Sequence, residues 1–114
     1  MVILTPAWVS YKPMIELCGG KVVEVPCTFE NGFRPDPEAV AAAITPNTAA
    51  VMLNSPGNPT GVAFPDDVVE RIAAAVAAHP HAMLISDEIY ATLRYGDAPH
   101  CSPASLPGMK DRVI

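Results

Sequence analysis

Three residues placed just past apolar runs carry the chemistry this sequence can offer: the amide of Asn58, the carboxylate of Asp87 and the phenol of Tyr90. Asn58 lies in Asn54-Ser55-Pro56-Gly57-Asn58-Pro59-Thr60-Gly61, between an apolar run, Ala49 to Leu53, and a helical pattern beginning near Pro65. Each proline fixes its own φ and pushes the preceding residue out of the helical region, so the loop is rigid and the Asn58 carboxamide is aimed in a set direction. Asp87 ends the next apolar run, Ala82-Met83-Leu84-Ile85, and Tyr90, three residues on, returns to the same side of a helical turn. Amide, carboxylate and phenol would then face one crevice able to hold a small polar ligand. Each feature also has a plainer account. Gly and Pro punctuate strand-to-helix turns, and an Asp at a strand end caps helices.

The elements that must position these groups read as an α/β alternation. Val2 to Leu4 is a short buried strand halted by Thr5-Pro6, and a short helix with Met14, Ile15 and Leu17 partly inward is stopped by Gly19-Gly20. Lys21 to Pro26 is a second strand. Asp36-Pro37-Glu38 opens a helix with Asp36 as cap and Pro37 in the first helical position. Ala49 to Leu53 is a strand buried on both faces. Pro65-Asp66-Asp67 begins the clearest helix, with Val68, Val69, Ile72, Ala75 and Val76 on one apolar face. Ala82 to Ile85 is the next strand, Gly96 to Lys110 is loop, and Arg112-Val113-Ile114 begins another buried strand. Open α/β sheets place ligands at the carboxyl ends of their strands, where both site loops fall.

The motifs Asn54-Ser55-Pro56-Gly57-Asn58-Pro59-Thr60-Gly61 and Ser86-Asp87-Glu88-Ile89-Tyr90, with Pro6-Ala7-Trp8-Val9-Ser10-Tyr11 upstream, resemble the large domain of pyridoxal-phosphate aminotransferases of class I/II, the aspartate aminotransferase superfamily of fold type I. The likeness covers nearly the whole chain in order and spacing. It implies a three-layer α-β-α fold with a mostly parallel sheet, and makes residues 1–114 a partial, incomplete piece of the pyridoxal 5'-phosphate-binding large domain with no second domain present. It further implies that Trp8 stacks on the pyridine ring near the substrate carboxylate, and that Asp87 faces the ring nitrogen. Asn58 and Tyr90 would donate to the phenolic oxygen, with Asn58 also touching the substrate carboxylate. Trp8 and Tyr11 would otherwise simply anchor a helix to the core. Glu88, next to Asp87 on the strand, turns to the opposite side.

The implied activity is transfer of an amino group between an L-amino acid, of aspartate or aromatic type, and a 2-oxo acid, in amino-acid metabolism. The family's Schiff-base lysine follows the strand begun at Arg112, beyond Ile114, so no catalytic residue is assigned in this chain and the segment alone is expected to be inactive. The alternatives are an aminotransferase-like effector domain of a transcription regulator and a non-catalytic α/β fragment. The resemblance also implies a homodimeric parent and prolines that bend the chain in cis at Thr5-Pro6 and Asn58-Pro59.

Composition narrows the partners. Net charge is -5 with seven Lys plus Arg and no basic run, which argues against a nucleic-acid or anionic-membrane surface. No apolar run is long enough to span a bilayer. Three cysteines, Cys18, Cys27 and Cys101, are odd in number and lack a C-x-x-C spacing, so reduced thiols and a cytoplasmic setting are expected. His79 and His81, which flank Pro80, have no acidic or thiol partner nearby in sequence and read as a solvated loop rather than a metal site, and His100-Cys101 is read the same way.

Overall fold

The computed structural model describes residues 1–93, 95 and 99–114. Its centre is one sheet of four parallel strands, β1 (Val2–Thr5), β2 (Val23–Pro26), β3 (Ala50–Asn54) and β4 (Met83–Asp87), in the order β2-β1-β3-β4. Every connection between parallel neighbours needs a crossover, and the chain supplies helices for this: α1 (Tyr11–Leu17), α2 (Pro37–Ala43) and α3 (Asp66–Ala77). The chain leaves β1 toward β2 on one side and places β3 and β4 on the other. Chain order therefore reverses between β1 and β3, the switch point where an open sheet forms a crevice at its strand tips.

Strand alternation sorts the core. Val2, Leu4, Val25, Val51, Leu53 and Leu84 pack with Val40 of α2 and with Val69, Ile72, Ala73 and Val76 of α3 on one face. On the other face Met52 and Ile85 line a groove with Tyr11 and Ile15 of α1, which makes the arrangement three-layered, helix on both sides of the sheet. The expectation that the β3 run is buried on both faces holds for Val51 and Leu53 on the first and for Ala50 on the second, whereas Met52 is half-buried because seven-residue α1 is too short to cover its end of that face. Met14 and Leu17, expected partly inward, are exposed. On so short a helix Tyr11 and Ile15, four apart, take the single inward stripe.

Local signals behave as their chemistry dictates. The Asp36 side chain accepts from Glu38 N–H at 3.0 Å with Pro37 in the first turn of α2. Asp66 and Asp67 occupy the first turn of α3, where the helix dipole favours negative charge. Among the described residues three X-Pro bonds are cis, at Thr5-Pro6, Ser55-Pro56 and Asn58-Pro59; the first and third were expected and the second was not. Val113 bridges in parallel to Leu84, and Ile114 N–H donates to the Leu84 carbonyl at 2.9 Å, so the Arg112-Val113-Ile114 segment does start to extend the sheet beside β4.

Arg112 fastens that extension to α3. Its Nη2 donates to the carbonyls of Val76 at 3.2 Å, His79 at 2.9 Å and Ala82 at 2.6 Å, adding to the backbone bonds that the Val76 and His79 carbonyls already accept in the exit turn. Replacement by Met keeps the packing stem and deletes the donors. In the protein that carries this segment, Arg112→Met is expected to lower unfolding stability by about 1–3 kcal/mol in urea denaturation. An unchanged midpoint would show that these contacts are replaced by water without loss.

Candidate functional site

Strand tips build the site. β1 ends at Thr5 and the chain runs on to Trp8; β3 ends at Asn54 and leads to Asn58; β4 ends at Asp87 and leads to Tyr90. Asn54 and Asp87 are register partners on neighbouring strands, which sets both exit loops side by side. A cleft of about 340 Å³ forms there, lined by Trp8, Tyr11, Asn54, Asn58, Asp87, Ile89 and Tyr90. All four residues expected at a common site thus face one cavity, within the size range of small-molecule pockets.

The Asn58 loop is held from within. Asn54 Oδ1 accepts the Asn58 N–H at 2.8 Å, and Ser55 Oγ accepts the Phe64 N–H at 2.9 Å. Gly57 sits where a Cβ would lie 3.0 Å from the Asn54 carbonyl oxygen and 3.3 Å from Thr60 Oγ1, so a side chain there would push the loop open. Gly61 supplies a left-handed φ of 71° while its N–H donates to the Gly57 carbonyl at 2.7 Å. The Asn58 carboxamide and the Tyr90 hydroxyl have no hydrogen-bond partner among the described residues, although both line the cleft.

Asp87 is fixed from two directions. Oδ1 accepts the Ile89 N–H at 3.2 Å, the local turn-capping role also open to an Asp at this place, and Oδ2 accepts the Tyr11 hydroxyl. Asn54 Nδ2 donates to the Asp87 carbonyl at 3.0 Å, so one asparagine ties the two exit loops together. Tyr11 and Asn54 are the site residues that the sequence reading missed. Tyr11 lies 76 residues from Asp87, and no local pattern marks such a pair. Asn54 stands in the quoted motif, but its amide reads there as loop chemistry rather than as a brace.

The Tyr11 phenol is pushed well above the usual tyrosine range, first by burial, then by its bond to Asp87 and that carboxylate's charge, with Tyr90 adding a little. It therefore stays a neutral donor to Asp87. The raised folded value makes its stabilising contribution complete below about pH 10, and that contribution is lost as pH climbs beyond. Spectrophotometric titration should accordingly show no phenolate signal from Tyr11 near pH 10, so that wild type and Tyr11→Phe give superimposable curves there. A full tyrosine's worth of missing absorbance in the variant would contradict the buried bond.

Trp8 meets Tyr11 edge to face, with ring centroids 5.5 Å apart and planes at 81°, and remains 43% exposed. The indole is braced against the cleft wall and still has apolar surface to offer a flat ligand.

On the far side of the β4 tip, Glu88 turns away from the cleft as its neighbour relation to Asp87 requires, but it is not solvated. Ser86 Oγ, Ser102 Oγ and His100 Nε2 all donate to it, at 2.9, 2.7 and 2.8 Å. Burial alone would raise its carboxyl, but the bonds from Ser102, His100 and Ser86 together outweigh it and leave the group below the usual carboxylate range. His100 is consequently no solvated loop histidine: a carboxylate 12 residues upstream holds it. His81, by contrast, is exposed, with Nε2 3.1 Å from the Thr45 carbonyl, and among the described residues no group of His, Cys, Asp or Glu could hold a metal ion.

A doubly wound parallel sheet with indole, amide, carboxylate and phenol around one cleft at its switch point defines an α/β domain with a cleft of small-molecule size where such sheets place ligands. The chain belongs to the aminotransferase class I and II family, whose model matches residues 1–113. It is 49% identical over 106 residues to a probable aspartate/prephenate aminotransferase of Thermus aquaticus, covering 93% of this chain and 27% of the relative. It is 47% identical over 113 residues to an arginine–pyruvate transaminase of Pseudomonas aeruginosa, covering 99% of this chain and 28% of the relative. A solved aspartate aminotransferase from Thermus thermophilus with maleate superposes with a TM-score of 0.92 at 45% identity, over 98% of this chain and 28% of that one. The chain therefore spans little more than a quarter of the length of the proteins it matches.

The family is pyridoxal-phosphate dependent, and the donor set in the cleft fits that cofactor. Each Asp87 oxygen uses one lone pair on Tyr11 or Ile89 and keeps another for a ring N–H. Asn58 and Tyr90 offer unused donors for an anionic oxygen, and Trp8 offers a flat apolar surface.

Proposed function

We propose that the chain is part of the large, cofactor-binding domain of a pyridoxal-phosphate aminotransferase that moves an amino group between an L-amino acid and a 2-oxo acid. The observation that carries this reading is the convergence of Trp8, Asn58, Asp87 and Tyr90 on one cleft at the sheet's switch point. When bound, pyridoxal phosphate supplies an electron sink for the substrate's α-carbon. Asp87 would hold a proton at the ring nitrogen by charge pairing, with Tyr11 and the Ile89 N–H keeping the carboxylate from rotating away. Asn58 and Tyr90 would donate to the phenolic oxygen, Asn58 would also reach the substrate carboxylate, and Trp8 would cover the ring face and exclude water from it.

An aspartate or aromatic donor is the proposed substrate, aspartate being in keeping with the name of the Thermus aquaticus relative. A homodimeric, cytoplasmic protein belongs to the same proposal. The test uses the whole protein that carries this segment, loaded with pyridoxal phosphate and given L-aspartate, L-phenylalanine or L-arginine with 2-oxoglutarate or pyruvate. Formation of the matching amino and 2-oxo products, fastest with aspartate or phenylalanine, is the expected result. Cofactor binding without turnover on any pair would overturn it in favour of a ligand-sensing domain.

A further inference from the structure

Glu88 stands beside Asp87, yet the function proposed above gives it no task. Its carboxylate is nevertheless the most heavily bonded side chain near the cleft: Oε1 takes Ser86 Oγ and Ser102 Oγ, and Oε2 takes His100 Nε2. The Glu88 and His100 side chains are only 28% and 21% exposed, so the pair is better shielded than a surface ion pair, for which the contribution would be small. What matters is the segment these bonds enclose. Ser86 belongs to β4, whereas His100 and Ser102 lie 12 and 14 residues beyond Glu88, and Tyr90 falls inside the loop thus closed. Two turns hang Tyr90 from this base: Ala91 N–H donates to the Glu88 carbonyl and Leu93 N–H to the Tyr90 carbonyl, both at 2.9 Å. From the base of that loop the Tyr90 phenol reaches the cleft wall.

We propose that Glu88 is a positioning residue: held by Ser86, His100 and Ser102, it anchors the turns that carry Tyr90 and so sets the Tyr90 phenol in the cleft. The inference rests on the pyridoxal-phosphate reading and adds a residue to it. Glu88 does not line the cleft. It acts through the short stretch of backbone between itself and Tyr90. Glu88→Gln keeps the size and one acceptor oxygen but loses the charge that His100 and Ser102 share.

The experiment is a double-mutant cycle in the whole protein, with Glu88→Gln, Tyr90→Phe and the combination. Two readouts are taken: the Kd for pyridoxal phosphate added to the cofactor-free protein, and the pH midpoint of the bound cofactor's visible absorbance. Each single variant is expected to weaken the Kd by about fivefold or more and to move the midpoint in the same direction. The double variant is expected to match Tyr90→Phe alone, because Glu88 has nothing left to position. Ser102→Ala, which removes one bond only, should move both readouts the same way by less, and stands in if Glu88→Gln fails to fold. Effects that multiply in the double variant, or a silent Glu88→Gln beside an effective Tyr90→Phe, would overturn this inference alone. A silent Tyr90→Phe would overturn both it and the role given to Tyr90.

Discussion

Replacing Asp87 by Ala in the whole protein that carries this segment is expected to lower kcat/KM for transamination by about 10²–10³-fold, the scale seen when a preorganised electrostatic partner is removed from a reaction centre. The carboxylate is presented at the tip of β4 by a five-residue parallel register with β3, and its two oxygens are aimed by Tyr11 and by the Ile89 N–H. The apolar core does not rest on it: Asp87 is only half-buried and absent from the apolar cluster under the sheet, and what the fold loses is the bond from the buried Tyr11 hydroxyl. Unfolding should therefore stay cooperative, with a stability loss of about 1–3 kcal/mol from the unpaired Tyr11 hydroxyl and the large effect on activity and cofactor affinity. Asp87→Asn sharpens the test, since the amide keeps the shape and abolishes the charge. A variant retaining more than a tenth of wild-type kcat/KM would defeat the role assigned to this residue.

The second large effect is expected at Asn54, through structure rather than charge. Its Oδ1 takes the Asn58 N–H and its Nδ2 gives to the Asp87 carbonyl, so a single side chain couples the two loops that leave the β3–β4 ladder. Asn54→Ala leaves one donor and one acceptor without partners in a half-buried place, at a cost of about 2 kcal/mol. It also frees Asn58 from its set direction, and rigid placement is what makes a binding amide effective. Affinity for pyridoxal phosphate is expected to fall by about tenfold or more, alongside the lower melting temperature. Asn54→Asp separates the two bonds: the carboxylate still accepts from Asn58 but cannot donate to Asp87. An intermediate loss is expected there, and equal effects from both variants would show that only the donation to Asp87 matters.

How much of this was written in the chain is best judged residue by residue. The runs before Thr5, Asn54 and Asp87 announce their strands because parallel strands are rich in branched apolar residues, and Asp36-Pro37 announces a helix start because both residues suit a helix N-terminus. The convergence of Trp8, Asn58, Asp87 and Tyr90 was legible too, since three strand tips of one open sheet must point the same way. What stayed hidden are long-range side-chain bonds. Tyr11 to Asp87 spans 76 positions and His100 to Glu88 spans 12 across a loop, and neither leaves a periodic trace. Burial was overestimated where a face lacks a cover, as at Met14, Leu17 and Met52, since an apolar residue in a sequence does not say what will lie against it.

The central claim is geometric: four side chains from three strand tips surround one flat ring. A crystal structure of the whole protein with pyridoxal phosphate tests it most directly. The account predicts the Asp87 carboxylate about 2.8 Å from the ring nitrogen, the Trp8 indole over the ring face, and Asn58 and Tyr90 at hydrogen-bond distance from the phenolic oxygen. A ring bound elsewhere, or held in this cleft with its nitrogen turned away from Asp87, would contradict it.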